Sequence, residues 1–191
     1  MRRPLITRRQ LLHATGAWRM GAAAWLSSPA NAAVFMDIEQ AQKMILPEAN
    51  QLTIIDLALD ASTLTAIANV TETRVPKNFA PRVWQATAGG RLVGWVAVDR
   101  AIGKFDWIDF AVGFGLDKAV MGVEILAYRE SHGAEIRQAA WRKQFLGRKG
   151  PKSMRFADDI RNISGATLSC QHVTEGVQRL SALIGQLGAA R

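Results

Sequence analysis

The sequence predicts an α+β domain: an antiparallel sheet made of hairpins, with helices flanking it. Two strand-like pairs in the middle of the chain are each joined by a short turn. The C-terminal stretch instead repeats apolar residues at helical spacing. Taken in order, Asp37 to Leu46 reads as a short helix stopped by Pro47. A second helix starts near Ser62, with Leu64, Ile67 and Ala68 on one side. Arg82–Ala88 and Arg91–Asp99 are strand-like and joined by Gly89-Gly90, a pair that supplies the positive φ angles of a tight hairpin. Trp107–Phe114 and Ala119–Tyr128 form a second hairpin that turns at Leu116-Asp117-Lys118. Residues 133–146 read as partly helical and lead into a loop from Gly147 to Ser153. Val173, Val177, Leu180, Ile184 and Leu187 then define an amphipathic helix from Ser169 to Leu187. Three regions follow: a leader at 1–32, an N-terminal helical segment at 33–80 and a domain at 81–191.

The 191 residues carry 24 bases against 16 acids, which at first suggests a nucleic-acid partner. Location weakens that reading. Arg2, Arg3, Arg8, Arg9 and Arg19 all fall in the first 32 positions, where no acid occurs. The other bases are scattered apart from a run at Arg142–Lys152, read as a solvated basic face, so no nucleic-acid partner is expected. With one cysteine, Cys170, the chain has no internal disulfide, haem-attachment motif, iron–sulfur ligand set or cysteine zinc site. Three histidines make a histidine metal cage equally unpromising. Any redox role must therefore use an organic cofactor, and no metal is expected.

The leader reads as an address. Thr7-Arg8-Arg9-Gln10-Leu11-Leu12 resembles the twin-arginine export motif. A modestly apolar stretch follows, and then Pro29-Ala30-Asn31-Ala32, whose small residues suit a signal peptidase. The apolar run falls short of the ~20 residues needed to span a bilayer. The reading is an exported, periplasmic chain whose mature form begins near Ala33. The twin-arginine route carries proteins already folded, so it suits a protein loaded before export.

The chemistry is placed where the last helix begins. Ser164-Gly165-Ala166-Thr167-Leu168-Ser169 leads into that helix. Gly165 lets the backbone come close to a ligand, the helix start offers unpaired N–H groups to a phosphate, and the three hydroxyls add further donors. The alternative is an ordinary helix start capped by Ser169 or Thr167. No Walker lysine follows, and no GxGxxG succeeds a strand. Trp84, Trp95 and Trp107 are read as packing residues and Cys170 as a small buried one.

Ser164-Gly165-Ala166-Thr167 followed by Leu168-Ser169 resembles the S-G-A-T-x-[ST] signature of the FMN-binding domain family. That family includes the flavin subunits of the Rnf complex and of the sodium-translocating NADH:quinone reductase. Gly122–Glu130 followed by Ser131-His132-Gly133 looks like the family's strand and E-x-x-G loop, and Trp141 and Phe145 match its W-x3-F spacing. The resemblance implies FMN as cofactor, phosphoester-linked to Thr167 by a periplasmic flavin transferase that uses FAD. Ser164, Gly165, Ala166, Leu168 and Ser169 would surround the phosphate, and Glu130, His132 and Gly133 would border the ring. Trp141 and Phe145 read as core rather than stacking partners. Arg161 stands where the family's transferase pattern has Asp, with Asp158 and Asp159 just upstream. The function implied is electron transfer between a membrane-bound reductase and a periplasmic acceptor; the alternative is a flavin-based redox sensor or binding module. No acid/base pair or nucleophile–base arrangement marks an autonomous enzyme.

Overall fold

The computed structural model describes residues 33–188, so the leader expected at 1–32 lies outside the described residues. The chain runs β1 (Ala33–Val34), α1 (Ile38–Ile45), β2 (Gln51–Ile55), α2 (Ala61–Thr71), β3 (Arg82–Ala88), β4 (Arg91–Ile102), β5 (Trp107–Gly115) and β6 (Val120–Tyr128). A short helix α3 (Ala139–Arg142) between 3-10 turns and the long α4 (Thr167–Gln186) complete it. The six strands form one antiparallel sheet in the order β1-β6-β5-β4-β3-β2. The α+β class and both hairpins read from the sequence are therefore present. Among the described residues no helix is long and apolar enough to cross a membrane.

Residues 33–80 depart from the helical segment expected there. They hold both expected helices but also β1 and β2, which form the two edges of the sheet. β2 escaped notice because it is an edge strand whose burial does not alternate: Ile54 is exposed while its neighbour Ile55 packs against the core.

The two faces of the sheet are covered differently. α1 lies across β5 and β6. It starts on an Asp37–Gln40 capping box and ends at Leu46, because Pro47 disfavours the α conformation in the residue before it. Its Ile45 sits so close to the sheet that a Cβ on Gly113 would lie 2.0 Å from Ile45 Cγ2. α4 covers the opposite face, over β4 and β5, and α2 together with the turn at Pro151–Ser153 covers its back.

α4 therefore differs from the amphipathic surface helix expected. It begins two residues earlier, at Thr167, and is buried on nearly every side from Val173 to Ile184. Its polar residues, which looked like a solvent face, mostly bond inside the fold. Thr174 Oγ1 donates to the Cys170 carbonyl at 2.7 Å, and Gln178 Nε2 donates to the Met154 and Pro151 carbonyls at 3.1 and 3.3 Å. Gly176 permits contact with the sheet, since a Cβ there would fall 2.5 Å from the Phe110 ring. At the far end Lys118 Nζ donates to the Leu187 carbonyl at 2.9 Å, which satisfies a terminal acceptor with a cation.

Two charged residues, Asp99 and Arg179, sit within this packing. Asp99 of β4 is 8% exposed, and its Oδ2 has no hydrogen-bond partner among the described residues. Burial pushes its carboxyl up to about 6, against the pull of Arg179 and Arg100.

Two stability predictions follow from this packing. Gly113→Ala should destabilise the fold by about 1–3 kcal/mol in urea denaturation, because α1 must back away from the sheet; an unchanged midpoint would show that α1 adjusts freely. For Asp99 the folded state disfavours the charged form. Its contribution to stability therefore falls as pH rises from its unfolded value of 3.8 through about 6, and the penalty persists above that. Asp99→Asn should be more stable than the parent at neutral pH, by up to about 3 kcal/mol at roughly 1.4 kcal/mol per pKa unit. The difference should shrink toward zero on acidification to about the unfolded pKa. A pH-independent difference would contradict the assignment.

Candidate functional site

The first turn of α4 is set by which residues face inward. Ala166 and Ser169 are 2% and 5% exposed, and Cys170 and Val173 are fully buried, while Thr167 and Leu168 between them face out. Ala166 is the N-cap residue, and no side chain caps the helix. The expected capping by Thr167 or Ser169 is thus not what forms. The geometry excludes it, because both lie inside the first helical turn. Cys170 N–H bonds back to the Ala166 carbonyl at 2.9 Å, but the N–H groups of Thr167, Leu168 and Ser169 find no partner among the described residues. Three orphan donors and the positive end of a twenty-residue helix thus meet at an exposed turn.

Gly165 enters this turn with φ +86°, a left-handed conformation that glycine adopts without penalty. A Cβ there would meet nothing, so the constraint is on the backbone and not on space. The hydroxyl of Thr167 is exposed and accepts a hydrogen bond from Asn162 Nδ2 at 3.1 Å, which orients it at the mouth of the turn. Ser164 is exposed beside it.

The loop after β6 is fastened to the same turn. Tyr128, the only tyrosine of the chain, bonds through its hydroxyl to both the His132 carbonyl and Ser169 Oγ, the latter at 2.9 Å. A carbonyl can only accept, so the phenol proton goes to His132 and the Ser169 hydroxyl donates to Tyr128. Gly133, at φ +91°, lies against this pair; a Cβ on it would fall 2.5 Å from Tyr128 Oη and 3.2 Å from Ser169 Oγ. Burial holds the Tyr128 hydroxyl above its ordinary pKa. The sequence-predicted Gly133 and Ser169 are therefore brought together, but Ser169 spends its hydroxyl on Tyr128 and offers only its N–H outward.

Glu130 and His132 take different places. Glu130 Oε1 accepts from the Phe105 and Asp106 N–H groups, the latter at 2.8 Å, and so ties the exit of β6 to the β4–β5 turn. His132 is exposed, and its ring bonds to its neighbour Ser131 at 2.9 Å. Cys170 is fully buried, and burial raises its thiol pKa, as befits a packing residue.

The segment approaching the signature is held from the stretch 141–152. Trp141 and Phe145 are core residues, 5.2 Å apart in an edge-to-face pair. Trp141 Nε1 also donates to the Arg161 carbonyl at 2.9 Å, and Gln144 Oε1 accepts from Arg161 N–H at 2.8 Å. In the Arg142–Lys152 run, expected as a solvated face, Lys143, Lys149 and Lys152 are exposed, but the two arginines bond within the fold. Arg142 bonds to the Val123 carbonyl at 2.8 Å and pairs with Glu124, and Arg148 donates to the carbonyls of Gln144, Ser153 and Asp159. The carbonyls that Arg148 meets lie in short turns with no strand partner, and a long guanidinium can satisfy them, a demand that charge patterning does not reveal. Of the two upstream acids, Asp159 is held below its ordinary pKa by hydrogen bonds from Arg155, whereas Asp158 is the more exposed.

Sequence reasoning missed Tyr128 and Asn162 as site residues. Asn162 stands two residues before the Ser164–Ser169 run, and a lone tyrosine closing a strand just before the Gly133 loop is a usable signal. Three cavities, of about 850, 470 and 560 Å³, lie along the sheet, and residues 164–169 line none of these three. The α4 start is a shelf on the surface. It can seat a phosphate and leave whatever the phosphate carries accessible from outside.

Tyr128→Phe should cost about 1–2 kcal/mol of stability, since it leaves the His132 carbonyl and the Ser169 hydroxyl unpaired. It should also speed amide hydrogen exchange in residues 131–135. Unchanged exchange there would mean that the loop is held by something other than this tyrosine.

Comparison with known families adds one finding. Residues 103–182 match the family model of the FMN-binding domain. No curated protein matches the chain. The matched stretch runs from the β4–β5 turn into the last turns of α4 and contains every residue of the candidate site, while β1 to β4 lie outside it. The match supports an FMN-binding domain over this stretch, with FMN as its cofactor.

Proposed function

We propose that this chain is an exported flavoprotein. In this reading FMN is joined through its phosphate to Thr167 Oγ1, and the protein passes electrons between a membrane-bound reductase and a periplasmic acceptor. The observation that carries the proposal is the uncapped start of α4, with the exposed Thr167 hydroxyl among three unpaired N–H groups, inside the stretch that matches the FMN-binding domain.

The residues suit the group. The N–H groups of Thr167, Leu168 and Ser169 can donate to the phosphate oxygens, and Asn162 Nδ2 holds the Thr167 hydroxyl by donating to it. Gly165 and buried Ala166 keep the approach clear. Attachment by a periplasmic flavin transferase would form the bond from Thr167 Oγ1 to the FMN phosphorus of FAD, with AMP leaving and the hydroxyl proton lost to base. Asp158, exposed just upstream, is the better placed of the two acids to be read by such a transferase, since Arg155 holds Asp159 by two hydrogen bonds but meets Asp158 only in an exposed ion pair at 3.7 Å. When bound, FMN exchanges one or two electrons and so joins two-electron donors to one-electron acceptors. The chain's own part is to hold the group on an open shelf where a partner protein can reach it, in keeping with a carrier. The Thr7–Leu12 motif supports export through the twin-arginine route after folding.

The test is intact mass and in-gel fluorescence of the denatured chain, co-produced with a flavin transferase, beside Thr167→Ala. A gain of one FMN less one water, fluorescent and absent from the variant, is expected. A yellow native protein that loses its flavin on denaturation would keep the binding site and refute the covalent bond. Absence of flavin from both native and denatured protein would overturn the reading.

A further inference from the structure

β3 begins at Arg82, which pairs with Val98, so β4 beyond Val98 has a strand partner on the β5 side only. The segment from Arg74 to Phe79 passes over this gap, and α4 lies beneath it. Between them is a cavity of about 560 Å³. Phe79, Ala101, Ile102 and Trp107 give it apolar walls.

Two of its lining groups are buried without adequate partners. Arg179 of α4 is 4% exposed, yet its guanidinium makes no hydrogen bond among the described residues. Its closest ionic neighbour is Glu175 at 4.0 Å. Asp99 is 8% exposed with Oδ2 unpartnered, and it lines the same cavity. A buried guanidinium without hydrogen bonds is costly, and its planar fork of donors matches a carboxylate in two-point contact. Arg74 and Arg100 add positive charge at the rim.

We propose that this cavity binds a small organic carboxylate with an apolar body. The Arg179 guanidinium takes the carboxylate, and Asp99 completes the hydrogen bonding from the other side. A single negative charge suits the site, since a doubly charged phosphate would face Asp99 and Glu175, and the apolar walls would gain nothing from it. Below pH about 6 the Asp99 carboxyl is protonated and can donate a hydrogen bond to a ligand oxygen. The site is separate from the α4 start: Arg179 lies twelve residues beyond Thr167, about 18 Å along the helix at 1.5 Å per residue. The inference stands whether or not Thr167 carries flavin.

The test titrates the whole chain, with and without flavin, by calorimetry and thermal denaturation. The probes are benzoate, hexanoate, the neutral benzamide and inorganic phosphate. Saturable binding of the two carboxylates with a raised Tm is expected, with no response to benzamide or phosphate. Arg179→Met should abolish binding. Should that variant fail to fold, Arg74→Ala, in an exposed loop, should weaken carboxylate affinity several-fold, and benzoate should shift the Arg179 side-chain N–H resonance of the parent. The proposal fails if neither carboxylate binds, if phosphate or benzamide binds as well as benzoate, or if the variants bind like the parent. It also fails if flavin loading blocks carboxylate binding, which would place the cofactor in this cavity.

Discussion

The arrangement at the start of α4 depends on burying Ala166, Ser169, Cys170 and Val173 on one side of a helix. At a helical turn of 3.6 residues these positions face the sheet, so Thr167 and Leu168 must face away. The small side chain of Ala166 lets the chain enter the helix against the core but offers nothing that could cap it. The inward pull that fixes the turn is therefore also what leaves its N–H groups free. A serine or aspartate at the cap would satisfy one of those donors internally and leave fewer of them for an anion.

The rest of this end of the molecule keeps that turn from moving. Tyr128 joins the loop after β6 to Ser169, Glu130 joins the same loop to the β4–β5 turn, and Trp141 with Gln144 holds the backbone at Arg161. Much of this bonding is aimed at backbone groups that have no strand or helix partner. It explains why Arg142 and Arg148 are spent on carbonyls instead of solvent. Hydrophobic packing anchors the elements; side-chain bonds to main-chain groups fix the loops between them.

Strand lengths that do not match have a different consequence. β4 has twelve residues and β3 seven, so the far end of β4 is paired on one side only. A buried acid and a buried base meet the space left there without bonding each other within hydrogen-bond reach. Such groups work against the fold on their own account, and a ligand that satisfied both would convert that cost into affinity.

The sequence by itself determined the local elements and the signature. Gly89-Gly90 dictated its hairpin through positive φ, Pro47 ended α1, apolar spacing marked α4, and Ser164–Ser169 marked where that helix starts. These features depend on neighbours close in the chain, where residue type constrains backbone directly. Only the tertiary structure decided that α4 is enclosed on its polar side, that β2 completes the sheet, that Ser169 serves Tyr128, and that Asp99 comes to face Arg179. Those outcomes turn on residues far apart in sequence meeting in a packed interior. A polar residue written at helical spacing looks the same whether it meets water or another segment of the chain.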